Sequence, residues 1–298
     1  MSPSSSAPRP FGQTGLLVSP LGLGAGRIGA SDLSEAEVER LLNAALDEGV
    51  TLIDTAPSYG LSEERIGRHL ARRRSEYVLS TKGGYGVPGV ADWTGPVITA
   101  GIEAALRRLR TTCIDVFHLH SCPVETLDRG EVIDALDAAV RAGKVRVSAY
   151  SGDSSPLGWA VRSGRFGSVM ASVNLCDQRI LNSDLPEALG AGLGVIAKRP
   201  LANAAWRFSE RPAGDYAEVY WARLQAMGLD PGELAWDEMA LRFAAFQPGV
   251  SSSIVGTASI DHLRRAARFI ERGPLPADRV ESLRAAFRHC DDGWVGQV

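Results

Sequence analysis

Four side chains that together could move a proton are Asp54, Tyr59, Lys82 and His120, each at or just beyond the end of an apolar run. Tyrosine has an ordinary pKa near 10, and a neighbouring ammonium favours the phenolate and lowers that pKa. We therefore expect Tyr59, beside Lys82, to act as a general acid toward a carbonyl oxygen near neutral pH.

The other members of this set have complementary roles. A charge at the end of an apolar strand is costly unless it is paired, so Asp54 is the expected partner that holds Lys82 and keeps it charged. His120 would donate a hydrogen bond to the same carbonyl oxygen and stabilise the developing alkoxide. Because no side chain in the set can supply a hydride, the chemistry predicted is carbonyl reduction with a nicotinamide cofactor.

Lysine is rare in this chain: only Lys82, Lys144 and Lys198 are found among the 32 lysine and arginine residues. Where arginine is used so freely, each lysine raises the question of whether an ammonium is specifically needed. Lys82 has the mechanism above, Lys198 lies at a strand exit, and Lys144 has no predicted catalytic role.

Composition excludes several other classes of protein. The 298 residues are 45% apolar and 22% charged, as in ordinary globular domains, and the net charge of -3 argues against a nucleic-acid surface. No apolar run approaches the roughly 18 residues of a membrane span. Four cysteines without a C-x-x-C pair predict reduced thiols, and residues 1–10 read as a loose leader rather than a signal peptide. We therefore expect a cytoplasmic protein.

Strand-like and helical patterns alternate eight times along the chain. Alternation predicts a parallel sheet, and eight units in just under 300 residues match one α/β domain, a (β/α)8 TIM barrel over residues 1–298. An open doubly wound sheet is the alternative. The predicted strands are Leu21–Ala25, Thr51–Asp54, Tyr77–Lys82, Ile114–His120, Val145–Ser151, Ser168–Asn174, Gly194–Lys198 and Ser252–Val255.

Helical spacing fills the intervals, and an extra helix closes the chain. The predicted helices are Ser34–Glu48, Ser62–Arg73, Pro96–Arg110, Val132–Ala142, Leu157–Arg162, Leu185–Ala191, Glu233–Phe246, Ile260–Ile270 and the extra C-terminal helix Ala277–Arg288. The stretch Leu201–Gly232 is too long for a simple connection, and long loops in compact domains are usually functional. We expect it to form a flap over the site.

A glycine motif, Gly24-x-Gly26-x-x-Gly29, follows the first strand. It matches the dinucleotide-binding fingerprint, but that fingerprint opens a helix directly, whereas the next helix has its own capping box at Ser34. We expect a tight turn instead, with the bare backbone of Gly26 close to a cofactor.

In these motifs the sequence resembles the aldo-keto reductase superfamily from Phe11 to the last barrel helix. The most specific segment is Asp54-Thr55-Ala56-x-x-Tyr59-Gly60, and Ser80-Thr81-Lys82 and Leu119-His120 follow in the family's order. The resemblance implies catalytic roles for all four residues and an N-terminal β-hairpin, near Arg9 to Val18, that seals the barrel bottom. It also implies NADPH bound extended across the rim.

The resemblance further implies cofactor positions, several of them altered. At the positions where the family has Ser-Asn and Gln, this chain has Ser151-Gly152 and Met170. Lys198 or Arg199 replaces the family's aromatic ring, and Gly256-Thr257 occupies the position of its phosphate-binding segment. We expect NADP(H) rather than NAD(H), with phosphate at a helix N-terminus aided by Arg264, Arg265 and Arg268. The implied cofactor residues are Gly26, Asp54, Ser151, Gly152, Met170, Arg199, Pro200, Leu201, Gly256, Thr257 and His262.

A small carbonyl compound would be bound by loops at the carboxyl ends of the strands. The candidate substrate residues are Arg27, Tyr85, Trp93, Ser121 and Trp206. The sequence leaves substrate identity and oligomeric state open. It also leaves two other functions open: a metal-dependent hydrolase using His118-x-His120, and a non-catalytic barrel that binds nicotinamide cofactor as a sensor or subunit.

Overall fold

Eight parallel strands close into a single barrel in the computed structural model, which describes residues 6–297. The strands around the barrel follow chain order, with the last pairing with the first. This confirms the predicted (β/α)8 fold over the open-sheet alternative. The barrel strands are β3 (Leu21–Gly24), β4 (Leu52–Asp54), β5 (Val78–Gly83), β6 (Ile114–His120), β7 (Val145–Ser151), β8 (Ser168–Ser172), β9 (Gly194–Lys198) and β10 (Ser252–Gly256).

Helices surround the barrel and bury their apolar faces against it. They are α1 (Glu35–Asp47), α2 (Ser62–His69), α3 (Gly95–Arg108), α4 (Val124–Arg129), α5 (Glu131–Arg141), α6 (Ser154–Arg162), α7 (Asp184–Gly190), α8 (Glu218–Met227), α9 (Trp236–Ala245), α10 (Ile260–Glu271) and α11 (Ala277–Cys290). Within residues 6–297, no helix is both long enough and apolar enough to span a bilayer.

Three helical details differ from the sequence expectation. Helix α2 ends at His69 instead of Arg73, because the chain leaves helical geometry and continues as a 3-10 segment, Ala71–Glu76. The short helix α4 was not predicted, since six residues carry too little periodicity. Helix α8 lies inside the stretch that was expected to be a flap.

An antiparallel hairpin of β1 (Arg9–Pro10) and β2 (Leu17–Val18) seals one end of the barrel, as predicted. Its Phe11 is fully buried in the cluster of residues that fills the barrel interior. Arg9 donates to the backbone oxygen of Ala245 at 2.6 Å. The predicted leader, residues 1–10, therefore extends too far, because Arg9 and Pro10 belong to the hairpin. Its first part, residues 1–5, lies outside the described residues.

Strand register brings the predicted chemical groups to the opposite rim. Asp54 is paired with Ser80, two residues before Lys82 on β5, and His120 is paired with Ser151. Parallel strands end at one edge of a sheet, so these side chains share the carboxyl-terminal mouth of the barrel.

A buried carboxylate ties the helix after the Tyr59 loop to the strand that carries Lys82. Glu63 of α2 is 1% exposed, and it accepts hydrogen bonds from Thr81 Oγ1 at 2.6 Å and from Arg108 Nε at 2.6 Å. Since Thr81 precedes Lys82 on β5, this contact fixes the distance between the two elements. A buried charge is tolerated here because it is paired and hydrogen-bonded.

Candidate active site

An ion pair at the carboxyl ends of β4 and β5 forms the base of the site. Lys82 Nζ lies 2.5 Å from Asp54 Oδ2 and donates to the backbone oxygen of Thr55 at 2.8 Å. Both side chains are 2% exposed. The second carboxylate oxygen, Asp54 Oδ1, accepts a hydrogen bond from Ser80 at 2.8 Å. Both oxygens of the carboxylate are therefore held, so Lys82 has a fixed position.

The ammonium remains charged in this buried position. Burial lowers the pKa of Lys82, but the Asp54 carboxylate and the Tyr59 hydroxyl outweigh it, and the pKa lies above its ordinary value. Lys82 Nζ is 5.1 Å from the centre of the Tyr59 ring. The predicted partnership of Asp54, Lys82 and Tyr59 is therefore present.

The expected direction of the Tyr59 pKa is wrong. The charge of Lys82 is the largest influence and lowers the pKa of Tyr59, but burial and the Asp54 carboxylate together raise it above 10. The physical reason is that burial disfavours the charged phenolate, and Asp54 offsets part of the ammonium's effect. Tyr59 is consequently a protonated phenol at neutral pH.

The glycine motif positions the Tyr59 loop. Gly29 ends a short 3-10 turn, and a Cβ placed on it would be 1.6 Å from the backbone oxygen of Tyr59. On the other side of this contact, Gly60 has a φ of +57°, and Leu61 N–H donates to the Gly29 oxygen at 3.1 Å. The tight turn predicted for the motif is confirmed, and its third glycine allows two loops to touch.

His120 faces Tyr59 across the mouth of the barrel. The two rings are nearly perpendicular, with centres 6.5 Å apart. Burial, followed by the charges of Lys82, Lys198 and Arg199, lowers the pKa of His120 to about 3. His120 is therefore a neutral imidazole at neutral pH, able to donate one hydrogen bond from one ring nitrogen.

A cavity of about 460 Å³ opens over these residues. Asp54, Tyr59, Lys82 and His120 all line it, together with most of the predicted cofactor residues and two of the predicted substrate residues. The further predicted residues found there are Gly26, Arg27, Ser121, Ser151, Met170, Arg199, Pro200, Leu201 and Gly256.

A second cavity of about 530 Å³ adjoins the first, and the two share Leu201, Ala204, Val255 and Gly256. Thr257 and His262 line this second cavity, beside the start of α10. The structure places Trp206 here too, stacked on Trp236 at 5.8 Å, rather than in the cavity of Tyr59 where a substrate residue was expected.

Three other predicted residues do not line the first cavity: Tyr85, Trp93 and Gly152. Tyr85 stacks on His120, with ring centres 5.6 Å apart, and Trp93 packs on Tyr85 at 5.7 Å. The amide of Gly152 donates to the backbone oxygen of Met170 at 3.1 Å, and the residue has no side chain to present to a cofactor. Met170 itself is an apolar part of the lining.

A lysine occupies the position where the family often has an aromatic ring. Lys198 lines the cavity and lies 2.8 Å from Asp153, a carboxylate that is itself 3% exposed and accepts from the Ser172 amide at 2.8 Å. Burial is the largest influence and lowers the pKa of Lys198, against the opposing effect of Asp153. Sequence reasoning missed Asp153, although it follows Ser151-Gly152 directly and its partner is one of only three lysines.

The predicted flap is confirmed only in its first part. Residues Asn203, Ala204, Arg207 and Tyr216 line the cavity with Leu201. Asn203 and Ala204 both have left-handed backbone, with φ of +53° and +52°, which is costly without glycine and typical of functional loops. The later α8 does not line the cavity itself, and it packs against both the Ala202–Arg207 segment and α11.

The second histidine of the sequence pair has a different environment from His120. His118 is fully buried, and its Nε2 lies 3.1 Å from the Ser80 oxygen that also donates to Asp54. Burial holds the pKa of His118 well below its ordinary value. Over residues 6–297, no cluster of three or more His, Cys, Asp or Glu side chains has the arrangement of a metal site.

Comparison with known proteins agrees with this geometry. The model of the aldo/keto reductase family matches residues 20–288. A Bacillus subtilis protein described as the uncharacterized oxidoreductase YrpG is 29% identical, covering 88% of this chain and 90% of its own. The 6-dehydroglucose reductase of Novosphingobium aromaticivorans is 30% identical, covering 84% and 87%.

A solved structure shows the same likeness in three dimensions. The holo form of aldo-keto reductase AKR11C1 from Bacillus halodurans superposes with a TM-score of 0.81, at 25% identity over 94% of this chain and 96% of that one. With the family model matching most of its length, the chain belongs to the aldo/keto reductase family and is an oxidoreductase acting on carbonyl and alcohol groups.

Proposed function

We propose that this protein reduces an aldehyde or ketone to an alcohol, or catalyses the reverse reaction, with Tyr59 as the proton donor. The observation that carries the proposal is the charged Lys82, held by Asp54 beside the Tyr59 ring at the base of a cavity that His120 also lines. These groups can act together on one substrate oxygen.

The residues divide the work on that oxygen. A carbonyl oxygen placed between the Tyr59 hydroxyl and the His120 ring receives hydrogen bonds from both, which polarise the carbonyl and orient it. When bound, a reduced nicotinamide supplies the hydride to the carbonyl carbon. Tyr59 gives its proton to the oxygen, which becomes the alcohol hydroxyl, and Lys82 stabilises the phenolate that remains.

The two adjoining cavities fit an elongated anionic cofactor. Their combined lining extends from Tyr59 in the first cavity to His262 at the start of α10 in the second, and Gly26 and Gly256 leave backbone bare along it. Ser151 and Lys198 are the polar groups near Tyr59 that would hold a carboxamide. Pro200 and Leu201 would bound the ring, with Arg199 behind them.

We propose NADP(H) as the cofactor because of the second cavity. Thr257, His262 and Arg265 line it, and the first turn of α10 presents backbone amides to the same end. A 2′-phosphate would meet a partly exposed guanidinium there. Arg265 also pairs with Asp237 of the same cavity at 3.0 Å, so a phosphate would share this guanidinium with that carboxylate. Arg264 does not line the cavity and pairs with Glu48 of α1 at 2.7 Å, so it is not expected to take part.

The substrate proposed is a small polar carbonyl compound. Arg27, Ser121 and Arg207 line the open side of the Tyr59 cavity and offer hydrogen bonds rather than an apolar surface. The similarity to a 6-dehydroglucose reductase is consistent with a polyhydroxy substrate. We also propose a cytoplasmic location, which the four free cysteines fit because thiols stay reduced there.

The first prediction concerns the proton donor. Replacing Tyr59 with phenylalanine should lower kcat for aldehyde reduction by about 10²–10⁴-fold, because the general acid is lost, while NADPH affinity is retained. Steady-state rates and fluorescence titration measure the two effects. Tyr77→Phe is the matched control, since Tyr77 is a buried tyrosine at the start of β5, and it should keep near-normal rates. A Tyr59→Phe enzyme with normal kcat would exclude Tyr59 as the acid.

The second prediction concerns pH. The pKa of Tyr59 is raised above 10 and that of His120 is lowered to about 3. Throughout the neutral range, both groups are therefore in the protonation state that reduction needs. We expect kcat/KM for reduction to be flat from about pH 5 to about pH 9 and to fall above that. Alcohol oxidation needs the phenolate, so its rate should rise with pH. A reductive profile with a midpoint near pH 7 would contradict these assignments.

The third prediction separates the two neighbouring arginines of α10. Arg265→Ala should weaken NADPH binding by about tenfold, the effect of losing one charge-assisted hydrogen bond, and leave NADH binding unchanged. Arg264→Ala should change neither. Fluorescence titrations of both cofactors with both variants provide the comparison. Equal effects of the two substitutions on NADPH would show that the second cavity does not bind the phosphate.

A further inference from the structure

The hydroxyl of Tyr85 lies 2.9 Å from Nδ1 of His120. The two rings are also stacked, with their centres 5.6 Å apart. Tyr85 follows the Gly83-Gly84 exit of β5 and does not line the cavity described above, whereas His120 does. One ring nitrogen of His120 is thus occupied from behind, and Nε2 is the nitrogen left for a ligand in the cavity.

The direction of this hydrogen bond follows from the chemistry of the two groups. His120 is neutral, so one of its nitrogens carries a proton and the other is a lone-pair acceptor. A phenol is a good donor and a weak acceptor, whereas an unprotonated imidazole nitrogen is a strong acceptor. The stable arrangement has Tyr85 O–H donating to Nδ1, which leaves the proton on Nε2.

The surrounding residues keep Tyr85 in this position. Trp93 packs on the outer face of Tyr85, and Gly84 allows that approach, because a Cβ there would lie 2.2 Å from the Trp93 ring. Gly84 has a φ of +131°, which also favours glycine at this position. Tyr85 is therefore held between Trp93 and His120 rather than presented to a substrate.

We propose that Tyr85 is a positioning residue that sets the tautomer of His120, so that Nε2–H is the hydrogen-bond donor to the substrate oxygen. In this proposal Tyr85 acts through His120, whereas the sequence predicts a direct contact with substrate. The proposal rests on the proposed function for the identity of that oxygen, but the tautomer itself is a property of the protein without substrate.

The test measures the tautomer by NMR. Protein labelled with ¹⁵N-histidine is recorded near pH 7, and the His120 signals are assigned by their loss in His120→Gln. We expect Nε2 to show the shift of a protonated nitrogen and Nδ1 that of an unprotonated acceptor. A protonated Nδ1 in the wild-type protein overturns the proposal, whether or not the protein reduces carbonyl compounds.

Variants then separate positioning from packing. Tyr85→Phe keeps the ring but removes the hydroxyl, and it should move the His120 shifts toward each other and lower kcat about tenfold with little change in KM. Trp93→Phe loosens packing but keeps the hydroxyl, so the His120 shifts should remain those of the wild type. A Tyr85→Phe protein with unchanged shifts and kcat, or with only KM altered, overturns the proposal. If the protein reduces carbonyl compounds but Nδ1 of His120 is the protonated nitrogen, the positioning role of Tyr85 is rejected and the proposed function is not.

Discussion

The arrangement of the site depends on one buried ion pair, Lys82 with Asp54. Both side chains are almost fully removed from water, so each would be strongly destabilised without the other. Their strands are neighbours in the barrel, and Ser80 and Thr55 supply further hydrogen bonds. A charge fixed in this way cannot relax toward solvent, which makes it effective on a phenolate formed beside it.

The same pair explains why Tyr59 remains a protonated acid. Asp54 cancels part of the ammonium field, and burial disfavours the phenolate, so the pKa of Tyr59 is raised although Lys82 is its neighbour. The protonated phenol is therefore favoured in the resting protein, and in the proposed reaction Lys82 would stabilise the phenolate once the proton has left. Gly29 and Gly60 position the Tyr59 loop, because only glycine allows that loop to lie so close to the loop after β3.

The sequence predicted the barrel, the rim and the four central residues, because strand ends and local motifs carry that information directly. It did not predict the sign of the Tyr59 pKa, which is a balance of burial and two opposite charges that only three-dimensional distances decide. It also could not show that Trp206 packs on Trp236 and Tyr85 on His120, since spacing shows which loop holds a residue but not which neighbour it meets. Asp153 was missed for the same reason: its partner Lys198 lies two strands away along the barrel.

The most direct test of the central claim follows the hydride. An aldehyde is incubated with the protein and NADPH that carries deuterium at the transferable position, and the product is examined by mass spectrometry. We predict an alcohol with one deuterium on the former carbonyl carbon. Bound cofactor without any alcohol, or an alcohol without deuterium, would contradict reduction at the site built on Lys82 and Asp54.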